Sequence, residues 1–227
     1  MYDKYSISVQ QKVTFTVLHF FIILFSFWLM FMNGIDIIAG LFGFPVQVGD
    51  NSRRNIILFA MGAYFAKNII SQFVFMKREL KWSEALTIAL WLFIAYSTFS
   101  FTGASNTLSA GKTETAGIIV FAVGILINFI SELQRFIWKR KQENKNKLYH
   151  GGLFRLSRHI NYLGDVIMFT GFAMLTRNVW VYIIPLTLIL AYTFINIPML
   201  DAHLMEKYGD EYEEYSHHSK KFIPFLY

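Results

Sequence analysis

Residues 115–138 read TAGIIVFAVGILINFISELQRFIW, an apolar run whose second half carries polar side chains. A helix that crosses the hydrocarbon core of a bilayer needs about 20 such residues. Asn128, Glu132 and Arg135 recur at positions i, i+4 and i+7, so they share one face of that helix. A charge at the centre of a spanning helix costs about 2.5–3.5 kcal/mol on insertion scales, so these side chains need partners or a cavity. The stretch therefore predicts both a membrane span and a site within it.

Five further stretches reach or approach the same length. They cover residues 11–32, 55–75, 84–101, 160–175 and 179–198. Residues 34–48 are apolar but interrupted by glycines and a proline, so we expect them to lie at the membrane interface or to re-enter. Only 16% of the residues are charged, whereas a soluble domain has about 25%. We predict an all-α, polytopic membrane helix bundle of about six spans, in which residues 1–227 form a single membrane domain.

Basic residues are concentrated on one side of the predicted bundle. With six spans, both termini and the second and fourth loops share a side, and most lysines and arginines, Lys4 among them, fall there. The positive-inside rule then places both termini in the cytoplasm. Residues 201–216 are predicted to form a short cytoplasmic helix, and residues 222–227 an apolar tail.

Several kinds of site are excluded or disfavoured by the residues present. The chain has no cysteine, so thiolate metal sites and a cysteine nucleophile are excluded. A Gly-x-Gly-x-x-Gly or Walker loop does not occur, and His217-His218 is a weak metal signal, so we expect no metal. Nucleic-acid binding is not indicated, because the positive charge follows the membrane topology.

The segment 151–165, GGLFRLSRHINYLGD, places many polar groups at a loop-to-helix junction. The crowded side chains are those of Arg158, His159, Asn161, Tyr162 and Asp165. A helix N-terminus next to basic side chains binds phosphate well. We therefore expect an anionic cofactor or lipid group at this junction.

Two other groups of polar side chains have competing interpretations. Tyr64, Asn68 and Gln72 share a face of the second stretch and either hydrogen-bond neighbouring helices or form a site. Three tyrosines near the C-terminus stand among acidic residues and could form a solvated amphipathic helix; they are Tyr208, Tyr212 and Tyr215.

The segment 158–165, RHINYLGD, resembles the signature of the integral-membrane sterol reductases. GGLF at 151–154 with NYLG at 161–164 is similar to the steroid 5-alpha-reductases, and the segments at 207–215 and 222–227 resemble the C-termini of both families. The resemblance runs from Asn128 to the C-terminus. It implies a helix bundle whose C-terminal half, residues 127–227, binds NADPH from the cytoplasm. Residues 11–126 would then form the substrate side.

The resemblance, together with the polar junction, defines a predicted cofactor-binding set. Its members are Asn128, Glu132, Gln134, Arg135, Lys139, Arg158, His159, Asn161, Tyr162, Asp165, Asp201, Tyr208 and Tyr215. Tyr64 and Tyr96 are the predicted proton donors. The leading hypothesis is thus an NADPH-dependent oxidoreductase that transfers hydride to a double bond of a sterol-like, steroid or isoprenoid lipid.

Two alternatives remain open. The pattern of Arg158, His159, Tyr162, Gly164 and Asp201 also resembles isoprenylcysteine carboxyl and phospholipid methyltransferases, which implies S-adenosylmethionine as cofactor. The reductases carry an Arg and an Asp at positions that here read Asn196 and Leu200. This departure motivates the second alternative, a scaffold or lipid-binding protein without catalysis.

Overall fold

The computed structural model describes residues 8–226 and divides into two compact units. Unit 1 comprises the chain up to Phe121 with Thr170–Ile184, and unit 2 comprises Ala122–Phe169 with the chain from Pro185 onward. Lys4 and Tyr227, used in the charge and tail predictions, lie outside the described residues. The α-helices are α1 (Val9–Phe31), α2 (Gly34–Leu41), α3 (Asn51–Ile70), α4 (Trp82–Ala104), α5 (Lys112–Lys139), α6 (Ile160–Thr176), α7 (Ile183–Ala191), α8 (Ile197–Tyr208) and α9 (Asp210–His218).

Five helical segments are long and apolar enough to cross a membrane. They are Val9–Phe31, Asn51–Phe75, Trp82–Ala104, Lys112–Lys139 and Val179–Tyr208. Within residues 8–226 the extended pairing is limited to an isolated bridge between Ser157 and Lys220. The predicted all-α membrane fold is therefore confirmed. The other predicted span, α6, is an apolar helix of 17 residues. The six-span count and the cytoplasmic termini, which depend on α6, stay predictions.

The C-terminal part of the chain differs in its helix bounds from the prediction. Helical structure does not end at residue 198, because Pro198 lies in the first turn of α8, where a missing N–H is tolerated. The helix continues to Tyr208 and ends at Gly209, whose φ of 48° lies in the left-handed region that favours glycine. The predicted short C-terminal helix is α9, which begins at Asp210 rather than at residue 201.

In unit 1, the fully buried side chain of Arg53 on α3 hydrogen-bonds the loop between α4 and α5 and the start of α5. The Nε atom of Arg53 donates to Glu114 at 2.9 Å, and its Nη atoms donate to the carbonyl oxygens of Asn106 and Leu108 at 2.6 and 2.7 Å. Arg177 lies 3.0 Å from the same carboxylate oxygen of Glu114. A charge this deeply buried is tolerated because it is paired and hydrogen-bonded.

In unit 2, α5 and α6 approach each other through small residues. A Cβ atom added to Gly124 would lie 2.2 Å from the amide nitrogen of Met168, and one added to Gly164 would lie 2.6 Å from that of Asn128. Only glycine fits such a contact, which is a common device of packed membrane helices. The close approach brings Asn128 directly against α6.

The glycine contact yields a test of the fold. Gly124→Ala forces the two backbones apart and should destabilise the protein by about 1–3 kcal/mol, as overpacking does. Gly62→Ala is the matched control, because a Cβ there meets nothing within 4 Å in the middle of α3. That control should be neutral or stabilising. Thermal unfolding in detergent measures both changes, and equal melting temperatures for the two variants would contradict the packing described.

Candidate functional site

Asn128 is the centre of a hydrogen-bond network in unit 2. Its side chain is buried, and Nδ2 donates to the carbonyl oxygen of Asn161 at 2.9 Å and to Oδ1 of Asp165 at 2.8 Å. The hydroxyl of Tyr192 donates to the other oxygen of Asp165 at 3.1 Å. The network thus joins α5, α6 and the π-helical turn Tyr192–Asn196. Oδ1 of Asn128 is buried without a partner, so the network contains one acceptor that no donor satisfies among the described residues.

Glu132 lies one turn further along the same face of α5. Its Oε1 atom accepts a hydrogen bond from Nδ2 of Asn161 at 2.9 Å, and its other oxygen is paired with Arg135. The Glu132 side chain is 15% exposed and that of Arg135 is 43% exposed. Together with Asp165 and Oδ1 of Asn128, this carboxylate makes the interior side of the network rich in hydrogen-bond acceptors. We call Asn128, Glu132 and Asp165 the acceptor cluster.

A second network surrounds His159, whose side chain is fully buried. Its Nε2 atom lies 2.7 Å from Oδ1 of Asp201, and the hydroxyl of Tyr212 donates to that same oxygen. Nζ of Lys221 lies 3.7 Å from Oδ2 of Asp201. Burial raises the pKa of the Tyr212 phenol, and its hydrogen bond to the Asp201 carboxylate raises that pKa further. Tyr212 therefore keeps its proton and remains a donor.

A stack of rings connects the two networks. The rings of His159 and Tyr162 are nearly parallel with centroids 5.6 Å apart, and those of Tyr162 and Tyr192 are 4.4 Å apart at an angle of 7°. Tyr192 also holds Asp165 through its hydroxyl. The stack fixes the plane of the His159 ring, so the imidazole has a defined orientation.

Arg158 and Tyr215 hydrogen-bond the C-terminal segment, residues 209–226, to the loop between α5 and α6. Nη1 of Arg158 donates to the carbonyl oxygens of Ser216 and Ser219 at 2.7 and 2.8 Å. These carbonyls lie at the C-terminal end of α9, where cationic side chains are favoured. The hydroxyl of Tyr215 donates to the carbonyl oxygen of Phe154 at 2.6 Å, and burial raises the pKa of this phenol. Both predicted cofactor contacts thus make bonds that hold the segment in place.

Gln134, Lys139 and Tyr208 also bond to neighbouring parts of unit 2. Oε1 of Gln134 accepts from the amide of Leu153 at 3.0 Å. Nζ of Lys139 donates to the hydroxyl of Tyr208 at 3.0 Å and to the carbonyl oxygen of Lys147. These residues lie around the loop between α5 and α6.

The predicted proton donors, Tyr64 and Tyr96, lie in unit 1. Both rings contact the ring of His19, with centroids 5.7 and 5.6 Å away, and Nε2 of His19 lies 3.4 Å from the Tyr96 hydroxyl. His19 is fully buried, and the prediction did not include it, although an isolated imidazole in an apolar span was a visible signal. The catalytic role of the two tyrosines stays a prediction.

Two members of the unit 2 networks were missed by sequence reasoning. Tyr192 lies within an apolar stretch and gave no signal of its own. Tyr212 was one of three tyrosines that could have formed a solvated amphipathic helix, yet its side chain is 3% exposed and turned toward Asp201. Among residues 8–226, no group of three or more His, Asp or Glu side chains is arranged to hold a metal ion.

The contacts of Arg158 predict a local effect of its removal. Arg158→Ala deletes the bonds to the two carbonyls at the C-terminal end of α9, so residues 209–226 should exchange amide hydrogens faster and be cut sooner by proteases. Arg155→Ala, at a neighbouring exposed arginine, is the matched control and should leave exchange unchanged. Hydrogen exchange read by mass spectrometry makes the comparison. Unchanged protection of residues 209–226 in Arg158→Ala would contradict the fastening role.

Comparison with known proteins identifies the family. A probable O-methyltransferase of Ustilaginoidea virens, ustE, is 32% identical over 126 residues, which are 55% of this chain and 44% of that protein. The chain thus spans less than half the length of that relative. The profile described as "Protein of unknown function (DUF1295)" matches residues 67–219, about two thirds of the chain. The chain therefore belongs to the DUF1295 family.

Proposed function

We propose that the chain is a membrane-embedded methyltransferase that uses S-adenosylmethionine and methylates a lipid-soluble acceptor. The observation that carries the proposal is the acceptor cluster, which offers two carboxylates and an unpartnered amide oxygen. The similarity to a protein named as a probable O-methyltransferase supports the same reaction class. The spanning helices favour an acceptor that is dissolved in the membrane.

The acceptor cluster fits the charge of S-adenosylmethionine. This cofactor carries a sulfonium, an ammonium and a carboxylate group, so its net charge is positive, and its adenine amine is a hydrogen-bond donor. Glu132 and Asp165 supply negative charge, although Arg135 pairs with Glu132 and both oxygens of Asp165 accept hydrogen bonds. Oδ1 of Asn128 is a buried acceptor that lacks a donor. An unpaired buried acceptor costs about 1–3 kcal/mol, which a ligand N–H would relieve. These three residues would hold the cofactor, which when bound supplies a methyl group activated by positively charged sulfur.

The same network fits NADPH less well. The basic side chains of the predicted cofactor-binding set are already bonded within unit 2. Arg135 is bonded to Glu132, Lys139 to Tyr208 and Lys147, Arg158 to carbonyls at the C-terminal end of α9, and His159 to Asp201. A dinucleotide with a 2′-phosphate would have to compete with these partners. This competition is the reason for placing the reductase second.

An NADPH-dependent reductase of a sterol-like, steroid or isoprenoid lipid is the second candidate. The match of residues 158–165 and of the C-terminal segments to sterol and steroid reductases favours it, and DUF1295 includes steroid 5-alpha-reductase-like membrane proteins. In that reaction Tyr64 and Tyr96 would be the proton donors. Asn196 and Leu200, which replace an Arg and an Asp of the sterol reductases, count against it.

Titration of detergent-purified protein with S-adenosylmethionine, NADPH and NADH in parallel tests the proposal. We expect S-adenosylmethionine to bind and both dinucleotides to bind more weakly. Glu132→Gln keeps an oxygen that accepts from Asn161 but removes the negative charge. It should therefore weaken the binding of S-adenosylmethionine about tenfold, equivalent to about 1.4 kcal/mol. Glu206→Gln, at an exposed acid on α8, is the matched control and should bind like the wild type.

The outcomes separate the two candidates. Binding of NADPH without any binding of S-adenosylmethionine would overturn the methyltransferase and establish the reductase as the function to pursue. If Glu132→Gln and Glu206→Gln weaken the binding of S-adenosylmethionine equally, the cofactor does not contact the acceptor cluster.

A further inference from the structure

We propose that His159 is the base that accepts the proton of the methyl acceptor, and that the acceptor is therefore a lipid alcohol or phenol. This inference rests on the proposed methyl transfer, and it assigns a role in proton transfer to a residue that the sequence marked only as a cofactor contact. The residues that carry it are His159, Asp201 and Tyr212, all in unit 2.

The hydrogen bond to Asp201 determines which nitrogen of His159 carries a proton. A neutral imidazole has one donor nitrogen and one acceptor nitrogen. Nε2 lies 2.7 Å from the Asp201 carboxylate, which can only accept, so Nε2 carries the hydrogen. Nδ1 then has a free lone pair, and it is buried without a partner. A carboxylate that orients an imidazole and leaves the other nitrogen for the substrate is the arrangement of a general base.

The surroundings of Asp201 favour this arrangement. The Tyr212 hydroxyl donates to the same oxygen as His159, and the Lys221 ammonium lies 3.7 Å from the other oxygen. Both groups stabilise the ionised carboxylate. The carboxylate in turn stabilises the imidazolium that forms when Nδ1 takes up a proton. Asp201 and Tyr212 are thus positioning residues, and the stacked Tyr162 ring keeps the imidazole in plane.

A purely structural histidine would leave the cost of the unpartnered nitrogen uncompensated. Most buried polar atoms in folded proteins have a hydrogen-bond partner, and leaving one without a partner costs about 1–3 kcal/mol. A structural role would need only the Nε2 bond to Asp201, for which an uncharged amide would serve as well. The burial of Nδ1 also keeps bulk water away from this nitrogen, so the missing donor would be a group of a bound ligand.

Methyl transfer to a hydroxyl group releases one proton, which needs an acceptor. The O–H bond of the acceptor breaks and its proton moves to Nδ1 of His159. The oxygen uses its electron pair to form an O–CH3 bond, while the S–CH3 bond breaks and its electron pair stays on sulfur, which turns a sulfonium into a neutral thioether. A carboxylic acid, with a pKa near 4, is already ionised at neutral pH and needs no base, whereas a phenol, with a pKa near 10, does. The similarity to a probable O-methyltransferase favours an oxygen acceptor over a thiol or an amine, and among oxygen acceptors a base at this position points to a hydroxyl.

The first test uses the cofactor-free protein and does not depend on activity. Nitrogen-15 NMR of histidine-labelled protein, with 4-nonylphenol as the probe, should show His159 as the neutral Nε2–H form and a shift of its Nδ1 signal on adding the phenol. The six histidines are distinguished by the signal lost in His159→Gln. Asp201→Asn should reduce the Nε2–H population. A protonated Nδ1 in neutral His159, or an Nδ1 signal that ignores the phenol, would overturn the assignment.

The second test separates a base from a structural residue. The side-chain amide of Gln can donate to Asp201 as Nε2–H does, but it has no basic nitrogen. His159→Gln should therefore fold and bind S-adenosylmethionine as the wild type does, yet methylate 4-nonylphenol about 10²–10⁴-fold more slowly. His217→Gln, at an exposed histidine on α9, is the matched control and should retain full activity.

The results also distinguish this inference from the proposed function. Absence of S-adenosylmethionine binding in the wild type defeats the proposed function, whereas the NMR result on His159 is obtained without cofactor. Full activity of His159→Gln toward 4-nonylphenol, or methylation of palmitate but not of 4-nonylphenol, would contradict the role of His159 as a base. Neither result would contradict the proposed methyltransferase function.

Discussion

The bidentate donation from the Asn128 amide to α6 is the interaction on which unit 2 depends. Its two hydrogen bonds, to the Asn161 carbonyl and to Asp165, require the backbones of α5 and α6 to lie close together. That approach is possible because Gly124 and Gly164 have no Cβ. In an apolar medium with no competing water, such polar contacts specify how two helices pair. The packing of α5 against α6 and the positions of the site residues therefore depend on the same few residues.

The basic side chains of unit 2 have different partners in the fold from the phosphate groups that their order along the chain indicates. Arg135, Lys139 and Arg158 look like a phosphate-binding row along the chain. In the fold, each is bonded to a carboxylate, a hydroxyl or carbonyl oxygens of the protein. The acceptor of the Asn128 network that still lacks a donor is the amide oxygen of Asn128. The basic composition of this region favours an anionic cofactor, whereas the pairing of its basic side chains in the fold favours a cationic one.

The sequence predicted the five candidate spans because apolar length alone determines them. Helical spacing and family resemblance also singled out Asn128, Glu132, Asn161 and Asp165, which the fold brings together, while their role as cofactor contacts stays a prediction. Sequence reasoning could not predict the pairing of His159 with Asp201, because those residues meet only through the path of the chain between them. Tyr192 was invisible for a similar reason, since a tyrosine in an apolar stretch is typical of any membrane helix. The observed helix ends differ from the predicted ones where a local backbone conformation ends the helix, as the positive φ of Gly209 does for α8.

Photochemical cross-linking of radiolabelled S-adenosylmethionine, followed by peptide mapping, tests the central claim most directly. The account predicts label in peptides from residues 124–169, reduced by excess unlabelled S-adenosylhomocysteine and unaffected by NADPH. Label confined to unit 1, or labelling of unit 2 that NADPH abolishes and S-adenosylhomocysteine does not, would contradict it.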